Sequence, residues 1–314
     1  MEMNDLRNIL KNNFINAKDT GVCVYGLIKD NEIPVKIDID TNSLSDLRDL
    51  FLSRIQDVIV NDNELNLLKL SSADDRNKVI YEYDLEIPNE LKTLDYICNN
   101  DDISLMNINN VSLTDIRVLI IEIGNDTNQL LLYKTMAPIN IYSQSQFFMR
   151  KHKSRLEKVN SELLRITSDF QMIRVNGSLI VMDLKTLERN FGFHDVIKKV
   201  ASEGCNAIEA IKLLENPDVL RELIEDVRYA RKLTKIAKSS PVLINKISNE
   251  NIIKFCEYYP KLKGRIKFNQ TKDKIILDTK VSKNLFIQLL MDDLLTSELT
   301  KLHYTSLAKD SVDN

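Results

Sequence analysis

The chain has 314 residues and a net charge of −3, and 43% of its residues are hydrophobic and 28% charged, as in ordinary globular proteins. Seven glycines and six prolines are too few for glycine-rich phosphate loops, collagen-like repeats or long proline-rich linkers. No apolar run approaches the roughly 18 residues of a membrane span, and charged residues stand where a signal peptide would be apolar. We therefore expect a cytoplasmic protein with no direct membrane insertion.

The first half of the sequence predicts an α+β domain with a sheet at its core. Apolar residues at helical spacing indicate the helices, and alternation or short apolar runs indicate the strands. In chain order, the predicted elements are helix 4–17, strands 21–28 and 33–39, helix 43–58, strands 65–70 and 79–85, a short helix from Pro88, and strands 117–124 and 129–136. Ser43 or Ser45 is expected to cap the second helix. The last two strands are nearly continuous apolar runs, which predicts a hairpin buried on both faces.

The second half begins with strands and continues with helices. Asn176-Gly177 lies between two apolar runs and predicts a β-hairpin, because both residues tolerate a positive φ. The further predicted elements are helices 185–190, 193–202, 205–214, 217–238 and 248–257, a hairpin around 271–273, and helix 282–295. The predicted fold class is thus α+β, with an N-terminal sheet-plus-helix domain over 1–145. A basic domain over 146–314 follows, consisting of a β-hairpin and a mostly helical C-terminal half.

Charge is distributed unevenly along the chain. Residues 1–149 hold 13 basic and 24 acidic residues, a net charge of −11, whereas residues 150–314 hold 30 basic and 22 acidic residues, a net charge of +8. A basic half can bind a polyanion while the acidic half limits where that polyanion lies. Alternatively, the protein is a scaffold without DNA affinity, whose halves pair with each other or with another subunit.

The predicted helix 217–238 carries cations on one side. Its apolar arc on a helical wheel consists of Leu223, Val227, Ala230, Leu233 and Ala237. A separate arc without acids consists of Arg228, Arg231, Lys232, Lys235 and Lys238. Such an arc can bind the phosphates of DNA without reading its bases. The same cations also favour the C-terminal end of a helix dipole, which is a purely structural explanation.

A second basic cluster lies at 150–158, on a predicted strand and turn. Arg150, Lys151 and Lys153 are its candidate phosphate contacts, and only Glu157 opposes the basic residues of this segment. We rank this cluster second to the helix.

A metal-dependent nuclease is the enzymatic alternative. Asp183-Leu184-Lys185 ends an apolar strand and Asp169 precedes it, a spacing in which two carboxylates can hold Mg²⁺ and a lysine can position water. Asp278-Thr279-Lys280 repeats the tripeptide, which shows that the match has little specificity. No P-loop, HExxH or GxSxG motif is present. We expect a protein that is not an enzyme and has no cofactor.

Two C-terminal segments carry a resemblance to a known family. The first is 163–193, where a strand, a hairpin and a helix start follow in order. The second is 289–310, with the elements Asp292-Asp293, Ser297-Glu298-Leu299-Thr300, Tyr304, Ser306 and Lys309. Together they resemble the KwaB family, the soluble subunits of the bacterial Kiwa antiphage defence system. From the residues themselves, we expect Ser297 or Thr296 to cap a local turn while Leu299 packs.

The resemblance implies a homodimeric DNA-binding protein that works with a membrane partner, KwaA, to suppress phage DNA replication and expression. It also implies recruitment to the inner membrane through that partner. A basic C-terminal half agrees with this function, because a defence protein cannot anticipate a phage sequence and phosphate contacts require none.

Overall fold

The computed structural model describes residues 1–73, 77–100, 102–137, 141–142, 149–159, 162–189 and 193–306. It confirms the α+β fold class. The helices are α1 Met3–Leu10, α2 Thr41–Ile55, α3 Lys92–Asn99, α4 Leu184–Arg189, α5 Phe193–Ala210, α6 Val227–Ser239, α7 Pro241–Ile244, α8 Asn249–Tyr258 and α9 Lys280–Leu290. Helices α1 and α2 each continue into a π-helical turn, Lys11–Ile15 and Gln56–Val60.

The strands follow the predicted order closely. They are β1 Gly21–Ile28, β2 Val35–Ile37, β3 Asn66–Lys69, β4 Val79–Glu82, β5 Ile116–Gly124, β6 Gln129–Thr135, β7 Ile141–Tyr142, β8 Met149–His152, β9 Arg155–Lys158, β10 Leu163–Leu164, β11 Met172–Val175, β12 Ser178–Val181, β13 Lys267–Phe268, β14 Ile275–Ile276, β15 Leu294–Thr296 and β16 His303–Thr305. The prediction lacked β7, and it lacked β15 and β16 because it continued the final helix to residue 295.

Eight strands form one sheet in the order β2-β1-β5-β6-β11-β12-β4-β3. The predicted central hairpin is confirmed, because β5 pairs with β6 in an antiparallel register from Val118 opposite Thr135 to Gly124 opposite Gln129. The hairpin at Asn176-Gly177 is also confirmed, and both of its turn residues have a positive φ (47° and 77°).

Both faces of this sheet are covered. On one face, alternate residues of the central strands join α1 and α2 in a core that includes Leu10, Phe51 and Ile121. On the other face, Tyr133 and Met172 are buried, and Asp95 of α3 forms an ion pair with Arg174 of β11. The central strands thus place apolar side chains on both faces of the sheet, as their continuous apolar runs predict.

The contacts between its residues divide the chain into two compact units. The first consists of Met1–Leu67, Lys78–Tyr83 and Ile87–Leu187, and the second of Leu68–Asn77, Asp84–Glu86 and Glu188–Asn314. The domain boundary between residues 145 and 146, which rests on the change in charge and composition along the sequence, stays a prediction. The N-terminal sheet includes the Asn176-Gly177 hairpin, which follows that boundary in sequence.

Three further helix boundaries differ from the prediction. Asp40 caps α2 in place of a serine, because its carboxylate accepts a hydrogen bond from the Ser43 backbone N–H at 3.0 Å. Helix α5 runs through Gly204 without the predicted interruption. The predicted helix 217–238 is two elements, a 3₁₀ helix Pro217–Glu225 and α6, with the extended residue Asp226 between them.

Candidate nucleic-acid interface

The second basic cluster folds as predicted into a strand and turn. Strands β8 and β9 pair in an antiparallel register, with Met149 opposite Lys158 and Lys151 opposite Leu156. Lys153 makes the turn with a φ of 53°. The two strands form a two-stranded sheet of their own. We call residues 149–158 the basic hairpin.

The basic hairpin presents cations to solvent. Lys151 and Lys153 are exposed. Arg155 is exposed too, but its Nη2 lies 2.9 Å from Oε1 of Glu157, which neutralises its charge locally. Arg150 pairs through its backbone with Glu157. The predicted contacts Lys151 and Lys153 therefore both lie at the surface of this hairpin.

Helix α6 has a different electrostatic setting from the one its sequence predicts. The Asp226 carboxylate caps the helix by accepting the Arg228 backbone N–H at 3.0 Å, and it also accepts from Arg228 Nε at 3.2 Å and Nη2 at 2.9 Å. The side-chain hydrogen bond between Arg228 and Asp226 raises the pKa of Arg228 and lowers the pKa of Asp226, because it stabilises both charged groups. An acid that precedes the helix thus balances the first cation of the arc.

A second acid reaches the arc from another helix. Nε of Arg231 lies 2.7 Å from Oε1 of Glu188 on α4, and each side chain exposes less than a fifth of its surface (17% and 18%). Lys232 and Lys235 are half-buried, whereas Lys238 is exposed. The arc therefore contains cations that already have internal partners, which a helical wheel of one helix cannot reveal.

The apolar side of α6 packs largely as predicted. Ala230 and Leu233 are buried, while Val227 and Ala237 are half-buried. Leu223 lies outside α6, on the preceding 3₁₀ helix. The helical wheel thus assigns the apolar residues within α6 correctly and fails at Leu223, where the helix does not continue.

Of the residues of the nuclease alternative, Lys185 is exposed, and both aspartates have structural partners. The Asp183 carboxylate caps α4, where it accepts hydrogen bonds from Lys185 N at 3.0 Å, Thr186 N at 3.2 Å and Thr186 Oγ1 at 2.6 Å. Asp169 Oδ1 lies 3.0 Å from Nζ of Lys134, whose side chain is fully buried. Within the described part of the chain, no three His, Cys, Asp or Glu side chains are grouped so that they could hold a metal ion.

Lys134 is a buried charge that the sequence analysis missed. Its Nζ donates to Thr167 Oγ1 and to the Asp169 backbone carbonyl, both at 2.8 Å. Burial by itself raises the pKa of Asp169, but the hydrogen bonds from Thr167 and Lys134 outweigh burial and lower it. A lysine inside the apolar run QLLLYKTM was the available signal, because a lysine in a strand that is buried on both faces requires an acceptor.

Of the two expectations for the segment Ser297–Thr300, one is confirmed and one is wrong. Ser297 Oγ accepts the Thr300 backbone N–H at 3.1 Å, which confirms the predicted turn. Leu299 does not pack: its side chain is 92% exposed. Leu299 lies in the turn that joins β15 to β16. Lys309 of the resemblance lies outside the described residues.

The sequence matches one known protein family. The family described as Kiwa protein KwaB-like matches residues 113–300, which include the basic hairpin and α6. The chain belongs to the KwaB-like family. Kiwa protein KwaB of Escherichia coli O55:H7 (strain RM12579 / EPEC) is 30% identical to this KwaB-like chain over 280 residues, 88% of this chain and 89% of the relative. No solved structure is significantly similar to it.

Family membership makes this KwaB-like chain a component of Kiwa antiphage defence. None of the helices in the described ranges is both long and apolar enough to cross a bilayer.

Proposed function

We propose that this KwaB-like protein binds duplex DNA through its phosphates, without sequence specificity, and thereby blocks phage DNA replication and expression. The observation that supports this proposal most directly is the pair of exposed lysines, Lys151 and Lys153, on the basic hairpin. Exposed lysines on a short ribbon can approach a DNA backbone, where each phosphate contact releases counterions. Arg150 is the third candidate contact on this hairpin.

Helix α6 is the second proposed contact surface. Arg228 and Lys238 are exposed and Lys232 is half-buried, but Arg228 and Arg231 would have to share their acidic partners with a phosphate. Lys235 is half-buried and has an interaction of its own. We therefore reverse the order expected from sequence and rank the basic hairpin first.

The proposal is tested by measuring DNA affinity across a salt series. Wild type is expected to bind duplexes of unrelated sequence, with log affinity falling linearly against log salt. Lys151→Glu/Lys153→Glu should weaken binding to all of them, with a slope smaller by about 0.9 for each lost phosphate contact. Lys232→Glu/Lys238→Glu tests α6 in the same way.

A matched control separates local contacts from net charge. Lys11 and Lys18 are exposed lysines of the acidic half. Lys11→Glu/Lys18→Glu changes the net charge as much as the hairpin variant does, and it should leave the slope unchanged. Equal loss in both variants would mean that only overall charge matters, and absence of wild-type binding at physiological salt would favour a scaffold over a DNA-binding protein.

We also propose, from the family resemblance, that the protein is a homodimer and that it works with the membrane partner KwaA. This partner would recruit the protein to the inner membrane. Co-purification with KwaA from membranes, and the mass of the purified protein in solution, test these two proposals separately.

A further inference from the structure

The basic hairpin combines cations with exposed apolar side chains. Met149 exposes 49% of its surface and Leu156 exposes 60%, although both belong to residue types that are normally buried. Lys151 stands directly opposite Leu156, and Met149 directly opposite Lys158. Directly opposed residues of an antiparallel pair project from the same face, so these four residues form one face of the ribbon.

This face has the composition of a surface that meets a partner. An isolated two-stranded ribbon gains little stability from its own strands. Two apolar side chains beside lysines also stabilise nothing while they are in water. A partner that fits this face offers an anionic group for Lys151 and an apolar surface beside it for Leu156 and Met149.

Duplex DNA offers both kinds of group close together. The phosphates line the groove edges, and the base edges form the groove floor, where an apolar side chain can insert between two stacked base pairs. Opposed Cβ atoms in a ribbon are about 4.5–5.5 Å apart, so Leu156 lies within one side chain's breadth of Lys151. A lysine side chain is long enough to reach a phosphate while its neighbour points into a minor groove about 6 Å wide.

We propose that the basic hairpin is an arm that enters the minor groove of duplex DNA, where Leu156, supported by Met149, unstacks a base step and bends the duplex. This inference rests on the proposed DNA binding and adds a mechanical consequence to it. Phosphate contacts by Lys151 and Lys153 hold the arm, and the apolar side chain performs the deformation. A protein that bends the duplex in this way would obstruct a polymerase at any sequence.

The test measures bending and affinity separately. A duplex of about 30 base pairs, far shorter than the ~150-base-pair persistence length of DNA, carries a fluorescent dye at each end. Saturating wild-type protein should shorten the distance between the dyes as expected for a bend of about 20–90°. Leu156→Ala should lose most of this bend and keep the salt slope, whereas Lys151→Ala/Lys153→Ala should lower the slope. Leu156→Met should restore the bend.

Leu302→Ala is the matched control, because Leu302 is equally exposed (58%) but belongs to the C-terminal turn before β16. It should leave both bend and slope unchanged. A wild-type complex that binds tightly but stays straight overturns the inference and leaves the proposed function intact, as does a Leu156→Ala complex that bends normally. Absence of wild-type DNA binding overturns both. If Leu156→Ala abolishes binding to phosphatidylglycerol vesicles and leaves DNA bending unchanged, the face is a lipid-docking surface and the inference is wrong.

Discussion

Arg231 and Glu188 form a largely buried ion pair, with 2.7 Å between Nε and Oε1. Both residues belong to the second compact unit, which begins again at Glu188. Removal of one member leaves the other poorly solvated, so Arg231 contributes to stability whatever its role toward DNA.

Arg231→Glu should therefore destabilise the protein. The expected loss is about 1–3 kcal/mol, between the values for exposed and fully buried pairs, because two carboxylates would then face each other. Urea unfolding measures this loss. Arg231→Glu/Glu188→Arg should recover much of it, and Lys238→Glu, at an exposed site of the same helix, should cost little. A fully stable Arg231→Glu protein would contradict the prediction.

Asp183→Ala should lower stability by about 1 kcal/mol, since it removes the side chain that caps α4. Asp183→Asn is the control, because asparagine caps helices about as well as aspartate. Comparison of the unfolding midpoints of the three proteins checks this expectation. If both variants instead abolish a Mg²⁺-dependent cleavage of DNA by wild type, Asp183 is a catalytic ligand and the capping explanation is insufficient.

The Lys134–Asp169 pair predicts a dependence of stability on acid pH. The pKa of Asp169 is lowered in the folded protein, so its contribution is fully present above the carboxyl's unfolded pKa, near 4. That contribution is lost as the pH falls through the lower folded pKa. Lys134→Met removes the cation, so its free energy of unfolding should fall less steeply than that of wild type between about pH 5 and pH 3. Parallel pH profiles for the two proteins would show that the pair is not the cause.

Gly204→Ala should be strongly destabilising. A Cβ at this position would lie 2.3 Å from the Leu233 carbonyl oxygen, because α5 and α6 approach closely there. We expect a loss of at least about 2 kcal/mol, as for severe overpacking. Gly177→Ala is the comparison: its φ is +77° but nothing lies within 4 Å of the added Cβ, so only backbone strain of about 1–2 kcal/mol applies. A smaller effect at 204 than at 177 would contradict the close approach.

Local signals in the sequence predicted the local structure well. The Asn176-Gly177 turn and the apolar strands of the β5–β6 hairpin carry their information within a few residues, and both are confirmed. The predicted helix 217–238 failed at Asp226, since the wheel does not show that an aspartate can end one helix and cap the next.

The electrostatics of the candidate site could not be predicted in the same way. Glu188 and Arg231 are distant in sequence, and so are Lys134 and Asp169, so their pairing depends on tertiary structure. A count of cations on one helix overestimates those available to a ligand. The exposure of Leu156 was equally hidden, because a leucine between charged residues in RLEKV resembles an ordinary half-buried strand residue.

The order of strands in the sheet has a consequence for synthesis on the ribosome. Strand β4 pairs with β12, and β12 and β11 stand between β4 and β6. A nascent chain that has emerged only as far as residue 145 therefore has β4 with β3 but without β12, and β6 with one edge open. Such edges readily pair with foreign strands. The sheet is complete only after Val181 has left the exit tunnel, so the N-terminal strands stay partly unpaired until strands β11 and β12 have been made.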